Sequence, residues 1–344
     1  FIVFLRPLGL RLLFANMHNS FEFKVGFQQF ANRCPESLKP GRESFVWYIE
    51  ECKRMGAHSL SMMPVARIPG SEKYDAGYLE FSDMGYVREM AALAKEADVH
   101  FVVYCIPLMS LAGLKHPVTG QVGMEPAAAR KYLDKIIEIC DIFGADTLGG
   151  GYGKLEVKYS RYNRAVSYDT VKAFVKANLK ELGRALEGTN IMMAYENHCD
   201  FTGREIAQIL EETDHPNIGG MFDIGNGAVI CCDPMADVEY LAPWAVAAHF
   251  KDFKVVDNPV FEHLWQDMPM IFKGCCLGEG IIDFDVIMRA ICEKAKRKNG
   301  MILMAEPAFI LPEQHYNCLE EMHEFDRKCT RQFVSFMQEL VEKY

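Results

Sequence analysis

From Phe23 onward, short apolar runs alternate with longer stretches in which apolar residues recur at helical spacing. The runs Phe23–Phe27, Ser59–Met63, Phe101–Ile106 and Thr147–Gly150 read as strands. They are followed in turn by helices over Ser44–Met55, Met84–Ala97, Pro126–Phe143 and Tyr168–Leu186. The second half keeps the rhythm. Strands Ile191–Glu196, Ile218–Asp223, Ala245–Lys251 and Met301–Glu306 precede helices over Arg204–Glu212, Met235–Leu241, Phe284–Lys298 and Leu319–Lys343. Strands this continuously apolar are buried on both faces, as in a parallel sheet whose outer side is covered by helices.

Eight such units in one chain predict a (β/α)8 TIM barrel, a closed sheet rather than an open one. An open dinucleotide-binding sheet calls for a G-x-G-x-x-G turn after the first strand, and FKVGFQQF has none. The glycine-rich Gly149–Gly153 stretch follows the fourth strand and lacks a P-loop lysine, so a tight turn explains it equally well. Residues 17–344 are expected to form a single barrel domain with an extended loop at about 253–280. Residues 1–16 are apolar but broken by Arg6, Pro7 and Arg11; they are read as a leader or an appended extension rather than an export signal.

Charge narrows the function classes. The 344 residues carry a formal net charge of −10, which argues against nucleic acid as the main partner. No later run reaches the roughly 18 apolar residues of a membrane span. The 12 cysteines match neither a disulfide framework nor a zinc ribbon. Cys140 and Cys292 fall in helical stretches and Cys105 in a strand-like run, as expected of reduced thiols in the cytoplasm.

In a barrel of this kind the chemistry sits at the C-terminal strand ends. Strand five ends in Glu196, strand six in Asp223, strand seven runs through His249 and strand eight ends in Glu306. Neighbouring strands lie about 4.8 Å apart, so these four side chains can converge. Any one of them alone is unremarkable, and a lone histidine there is more often a core residue. Burying three carboxylates without a cation would cost several kcal/mol each. The set therefore predicts one divalent cation, with Mn²⁺ favoured and Mg²⁺ or Co²⁺ as alternatives to a structural zinc.

The motifs YENH, MFDIGN, HFKD, LGEGIIDF and AEP resemble those of the xylose-isomerase-like barrel superfamily of sugar phosphate isomerases, epimerases and related lyases. The resemblance runs from Phe23 to the C-terminus and is densest from Tyr195 to Pro307. It implies that Glu196, Asp223, His249 and Glu306 are metal ligands, and that Glu196 and Glu306 also exchange a substrate proton. Such a site enolises a sugar carbonyl. Return of the proton gives a keto-sugar isomerase or epimerase, whereas loss of a β leaving group gives a lyase. The segment between His249 and LGEG, with Phe261, Trp265, Met268, Met270 and Phe272, is longer and more aromatic than in small epimerases. Together with LGEG it is similar to the catalytic subunits of bacterial C-glycoside deglycosidases. Those enzymes cleave 3-oxo-glycosides of aromatic aglycones and work with a small β-rich partner subunit. That likeness implies a sugar or glycoside substrate, a partner of that kind and an oligomer; a folded lid is the plainer account of the loop.

Further candidates follow from position. His198 shares the strand parity of Glu196, and His116 lies in the loop after strand three; both are candidate bases. Asn226, Lys251 and Trp265 are candidate substrate contacts, joined by Asp252, Glu156 and Lys158, while His58 at a strand N-terminus reads as structural. Two other classes stay in view. A DNA-repair endonuclease of this barrel would want a richer histidine set and a basic surface, and a non-catalytic scaffold would hold no metal.

Overall fold

The computed structural model describes residues 21–38, 41–62, 64–65, 79–80, 83–104, 108–154, 156–258, 270–308, 310 and 318–344. Residues 1–16, Cys105, Phe261, Trp265 and Met268 therefore lie outside the described residues. Eight parallel strands close a barrel: β1 Phe23–Gln28, β2 Ser59–Met62, β3 His100–Tyr104, β4 Thr147–Gly150, β5 Met192–Glu196, β6 Ile218–Asp223, β7 Ala245–Phe250 and β8 Met301–Ala305. Each pairs with its neighbours in chain order, and β8 pairs with β1. The expected barrel is the observed one.

Helices α1 Arg42–Met55, α2 Met84–Glu96, α3 Pro126–Phe143, α4 Tyr168–Leu186, α5 Gly203–Thr213, α6 Pro234–Leu241, α7 Phe284–Lys294 and α8 Leu319–Val341 cover the outside. Their starts are fixed by local chemistry. Asp83, Ser167 and Asp283 each accept the backbone N–H three residues on, and Thr202 with Glu205 forms a capping box. The outward strand residues and the inner helix faces make the main apolar core. A small second cluster (Val102, Ala194, Met221, Val246, Ala247, Ile302, Met304 and Tyr104) fills the barrel interior.

Several element ends differ by a residue or two from the sequence reading, and two differences are larger. Helix α7 stops at Lys294, because Ala295 turns extended (φ −58°, ψ 136°). Arg297 is thereby free to reach under the barrel, where its guanidinium pairs with Asp146 at 2.5 Å and donates to the Thr147 hydroxyl at 2.7 Å. The second difference is the loop before β8. Asp252–Asp257 and Met270–Cys275 pair as an antiparallel two-stranded ribbon at the barrel mouth. Its outer positions carry exposed apolar side chains, Val255 and Phe272 among them.

The LGEG motif folds back beneath that ribbon. The Asp252 carboxylate accepts the backbone N–H groups of Gly278 (3.0 Å), Gly280 (2.9 Å), Ile282 (3.3 Å) and Phe253 (2.8 Å). A Cβ at Gly280 would lie 2.0 Å from that carboxylate, so only glycine fits. Asp252 was expected to orient substrate; its carboxylate clamps this loop instead.

All eleven described cysteines are free of disulfides. Among the described residues, no helix is long and apolar enough to cross a membrane.

Candidate metal centre

Four of the predicted residues meet at the C-terminal face. Glu196 and Asp223 are the last residues of β5 and β6, His249 is the penultimate residue of β7, and Glu306 directly follows β8. Asp223 sits opposite His249 in the β6–β7 register, which brings their side chains to the same height. All four are buried, and one ligand atom from each lies within 4.8 Å of the others. The imidazole Nδ1 is 2.8 Å from Glu306 Oε2, 3.3 Å from Glu196 Oε1 and 3.6 Å from Asp223 Oδ2.

Neighbouring side chains hold these groups in place, Asp223 through the same Oδ2 that faces His249. Tyr104, at the end of β3, donates its hydroxyl to Glu196 Oε2. Lys251 places Nζ 2.7 Å from Asp223 Oδ2 and 2.9 Å from Glu306 Oε1. Asn226 Nδ2 donates to Asp223 Oδ2 at 2.7 Å and to the Asn197 carbonyl at 3.0 Å. The carboxamide of Gln28, the last residue of β1, lies against His249 Nε2. The amide nitrogen faces the ring and Gln28 Oε1 has no partner; turning the carboxamide over would let its oxygen accept Nε2–H and leave Nδ1 as a bare lone pair. Asn197 ties β5 to β6, accepting Asp223 N–H at 2.8 Å and donating to its carbonyl at 2.9 Å. The asparagines of YENH and FDIGN thus hold the two strand ends in place.

What remains without a hydrogen-bond partner is informative. Glu196 Oε1, His249 Nδ1 and Glu306 Oε2 are buried and unpartnered, and they face one another. Unpaired buried polar atoms call for an explanation, and three on ligand-type groups that face one another suit a shared cation. Three carboxylates against the Lys251 ammonium leave a charge of −2, which a divalent cation balances if His249 is neutral. One imidazole and three carboxylate oxygens form a donor set suited to Mg²⁺, Mn²⁺ or Co²⁺.

The electrostatics carry the same tension. Burial pushes the Glu196 carboxyl up, but the His249 imidazole 3.3 Å away outweighs it and holds it well below the usual range. Burial likewise raises Glu306, and the Lys251 and His249 charges bring it back down. Asp223 is pushed up to about 6, chiefly by burial, with Lys251 opposing and Glu306 adding to the rise. Burial disfavours the His249 imidazolium, yet the three carboxylates hold its pKa well above the ordinary value. Without a cation, a proton on His249 does part of the cation's work.

The other candidates are placed as follows. His198 is half-buried, with a buried Nδ1 that has no hydrogen-bond partner. His116 stands in an aromatic cluster, stacked 5.6 Å from Tyr152 and edge-on to Phe174 at 5.2 Å. Its Nδ1 accepts Val118 N–H at 3.1 Å, which commits that nitrogen to the loop. Asn226 and Lys251 are buried against Asp223, and Lys251 also against Glu306. Glu156 and Lys158 are exposed and pair with each other at 2.9 Å, and His58 is exposed, 4.0 Å from Asp98. Trp265 lies outside the described residues. Gln28 and Tyr104 were not singled out from the sequence.

The family profile described as xylose isomerase-like TIM barrel matches residues 49–308. Among curated proteins, the chain is 25% identical over 153 residues to the 3-oxo-isoapionate decarboxylase of Pectobacterium atrosepticum, covering 43% of this chain and 52% of that protein. It thus spans about half the length of that relative. Among solved structures, a xylose isomerase-like TIM barrel protein from Mycobacterium smegmatis in complex with magnesium superposes with a TM-score of 0.57 at 12% identity, covering 90% of this chain and 97% of the other. D-psicose 3-epimerase from Clostridium cellulolyticum H10 with D-tagatose gives 0.58 at 13% identity, with 91% and 98% covered. At such identities the likeness is one of fold.

Proposed function

The chain belongs to the xylose isomerase-like TIM barrel family, and on that premise we propose that it is a divalent-metal-dependent enzyme that removes a proton beside a sugar carbonyl. The reaction we propose is elimination: cleavage of 3-oxo-glycosides of aromatic aglycones, as in the catalytic subunits of C-glycoside deglycosidases. The observation that carries the reading is the convergence of Glu196 Oε1, His249 Nδ1 and Glu306 Oε2, all buried and unpartnered. Glu196, Asp223, His249 and Glu306 would hold the cation, Mn²⁺ by preference. When bound, it supplies Lewis-acid polarisation of the carbonyl and stabilises the enolate that deprotonation creates.

The chain's own groups supply the rest. A base takes the proton from the carbon next to the 3-oxo group. The electron pair left behind forms a double bond to the anomeric carbon, and the bond to the aglycone breaks. The aglycone leaves with the electron pair of the broken bond and picks up a proton, so the step is redox-neutral. His198 is the first candidate for the base, because its unpartnered Nδ1 lies two residues beyond Glu196 in the loop that follows β5. The exposed Val255 and Phe272 on the ribbon beside the mouth support a flat apolar aglycone there, with Trp265 from the intervening segment as a further contact. The same ribbon supports docking of a small β-rich subunit within an oligomer. Free cysteines suit a cytoplasmic setting.

Keto-sugar isomerisation or epimerisation is the second reading. It is favoured by the placement of Glu196 and Glu306 on separate strands, each with one unpartnered oxygen at the centre, since epimerisation needs proton exchange from two sides. The purified chain should be incubated with a 3-oxo-C-glycoside and, separately, with free ketoses, with Mn²⁺ and with chelator. Metal-dependent release of aglycone without ketose interconversion is expected. Ketose interconversion without release would replace the first reading by the second.

A further inference from the structure

Each ligand carboxylate has two oxygens, and a cation that can take both is not the cation that takes one. Ca²⁺ accepts six to eight oxygens and readily chelates both atoms of a carboxylate, whereas Mg²⁺ holds to near-octahedral geometry. In this structure the second oxygen is engaged in each glutamate. Glu306 Oε1 is taken by Lys251 at 2.9 Å, an ion pair that directly adds charge. Glu196 Oε2 is taken by Tyr104 instead, through a neutral hydroxyl from a strand that contributes no ligand. The Tyr104 ring is nearly buried, and its centroid lies 5.3 Å from that of His249, so packing holds the hydroxyl in place.

We propose that Tyr104 is the residue that fixes Glu196 as a one-oxygen ligand, and that it thereby sets the preference of the site for small six-coordinate cations over Ca²⁺. The inference rests on the metal reading of the site. It makes Tyr104 a positioning residue, acting through Glu196. Loss of the hydroxyl frees Oε2 to swing toward the centre, where a second oxygen suits a larger ion and crowds a smaller one.

The Tyr104→Phe variant keeps the ring and removes the hydroxyl. Mn²⁺ and Ca²⁺ should be titrated by calorimetry into chelator-stripped wild type and variant. Thermal unfolding of the stripped proteins and the absorption spectrum of the Co²⁺-loaded forms should be recorded alongside. The wild type should prefer Mn²⁺. In the variant Mn²⁺ affinity should fall about tenfold, at the lower end of what loss of an outer hydrogen bond to a ligand costs. Ca²⁺ affinity should hold or rise, so the Mn²⁺/Ca²⁺ ratio drops at least tenfold, and the Co²⁺ bands should shift. The stripped variant should still unfold cooperatively, at a somewhat lower temperature because Glu196 Oε2 loses a buried donor. An unchanged ratio with an unchanged Co²⁺ spectrum would overturn the role of Tyr104 and leave the metal site standing. Failure of the wild type to bind any of the three ions would overturn the metal reading itself.

Discussion

Substitution of Glu306 by glutamine separates a metal ligand from a structural ion pair, because the two predict opposite effects on stability. Glu306 is 5% exposed, with one oxygen 2.8 Å from His249 Nδ1 and the other 2.9 Å from Lys251 Nζ. In the metal-free protein three carboxylates face Lys251 and a protonated His249, a net charge of −1; after Glu306→Gln the cluster is neutral. The stripped variant should therefore be at least as stable as the stripped wild type. Toward a cation the change is a loss. Removing one partner of a buried charge costs about 3–5 kcal/mol, which is roughly two to nearly four powers of ten in Kd. The assay is Mn²⁺ titration combined with thermal unfolding in chelator and in Mn²⁺. At a hundredfold excess over Kd the wild type should gain about 2.7 kcal/mol, and the variant almost nothing at the same concentration. The reasoning is refuted if the stripped variant loses several kcal/mol while its Mn²⁺ affinity stays within a few-fold of wild type.

Three other outcomes follow from the same structure. Carboxylates raise the His249 pKa above 6.5 in the metal-free fold, so its contribution to that fold is full below the unfolded value and is lost as pH rises through the folded one. Because that proton must leave before Nδ1 can bind a cation, apparent Mn²⁺ affinity should climb by about tenfold per pH unit from pH 6 to 8; calorimetry across that range showing no slope would contradict this. Gly280→Ala should lower stability by about 2–4 kcal/mol, because a Cβ 2.0 Å from Asp252 dislodges a carboxylate that holds four backbone N–H groups; an unaltered melting temperature would show that the loop is not clamped there. His198→Asn should reduce kcat by about 10²-fold with Mn²⁺ affinity unchanged, whereas His116→Asn, in a residue whose Nδ1 serves the loop, should reduce it far less; the reverse order would move the base to His116.

The sequence disclosed the barrel because every strand is buried on both faces and every covering helix has one apolar side. It pointed to the four residues that converge at the barrel mouth because each is an ionisable residue at or next to the end of an apolar strand. The two residues that escaped notice did so through boundaries. The first strand was read as ending at Phe27, which put Gln28 outside it by one residue. The third was read as running to Ile106, which made Tyr104 an interior position; residues 105–107 lie outside the described ones. A residue at a strand end draws attention, and the same residue one or two places away does not. The ribbon was missed for another reason. Its strands mix Lys254, Asp257 and Lys273 with exposed apolar residues, so no period of two marks a buried face. Arg297 likewise lay hidden in the KRK run read as the end of a helix, since only the fold brings it beneath Asp146.

The most direct test of the account is anomalous diffraction at the manganese edge from crystals of the Mn²⁺-loaded protein. One peak per chain is predicted, bonded by Glu196, Asp223, His249 and Glu306. No peak at those residues, or an ion bound only elsewhere, would contradict it.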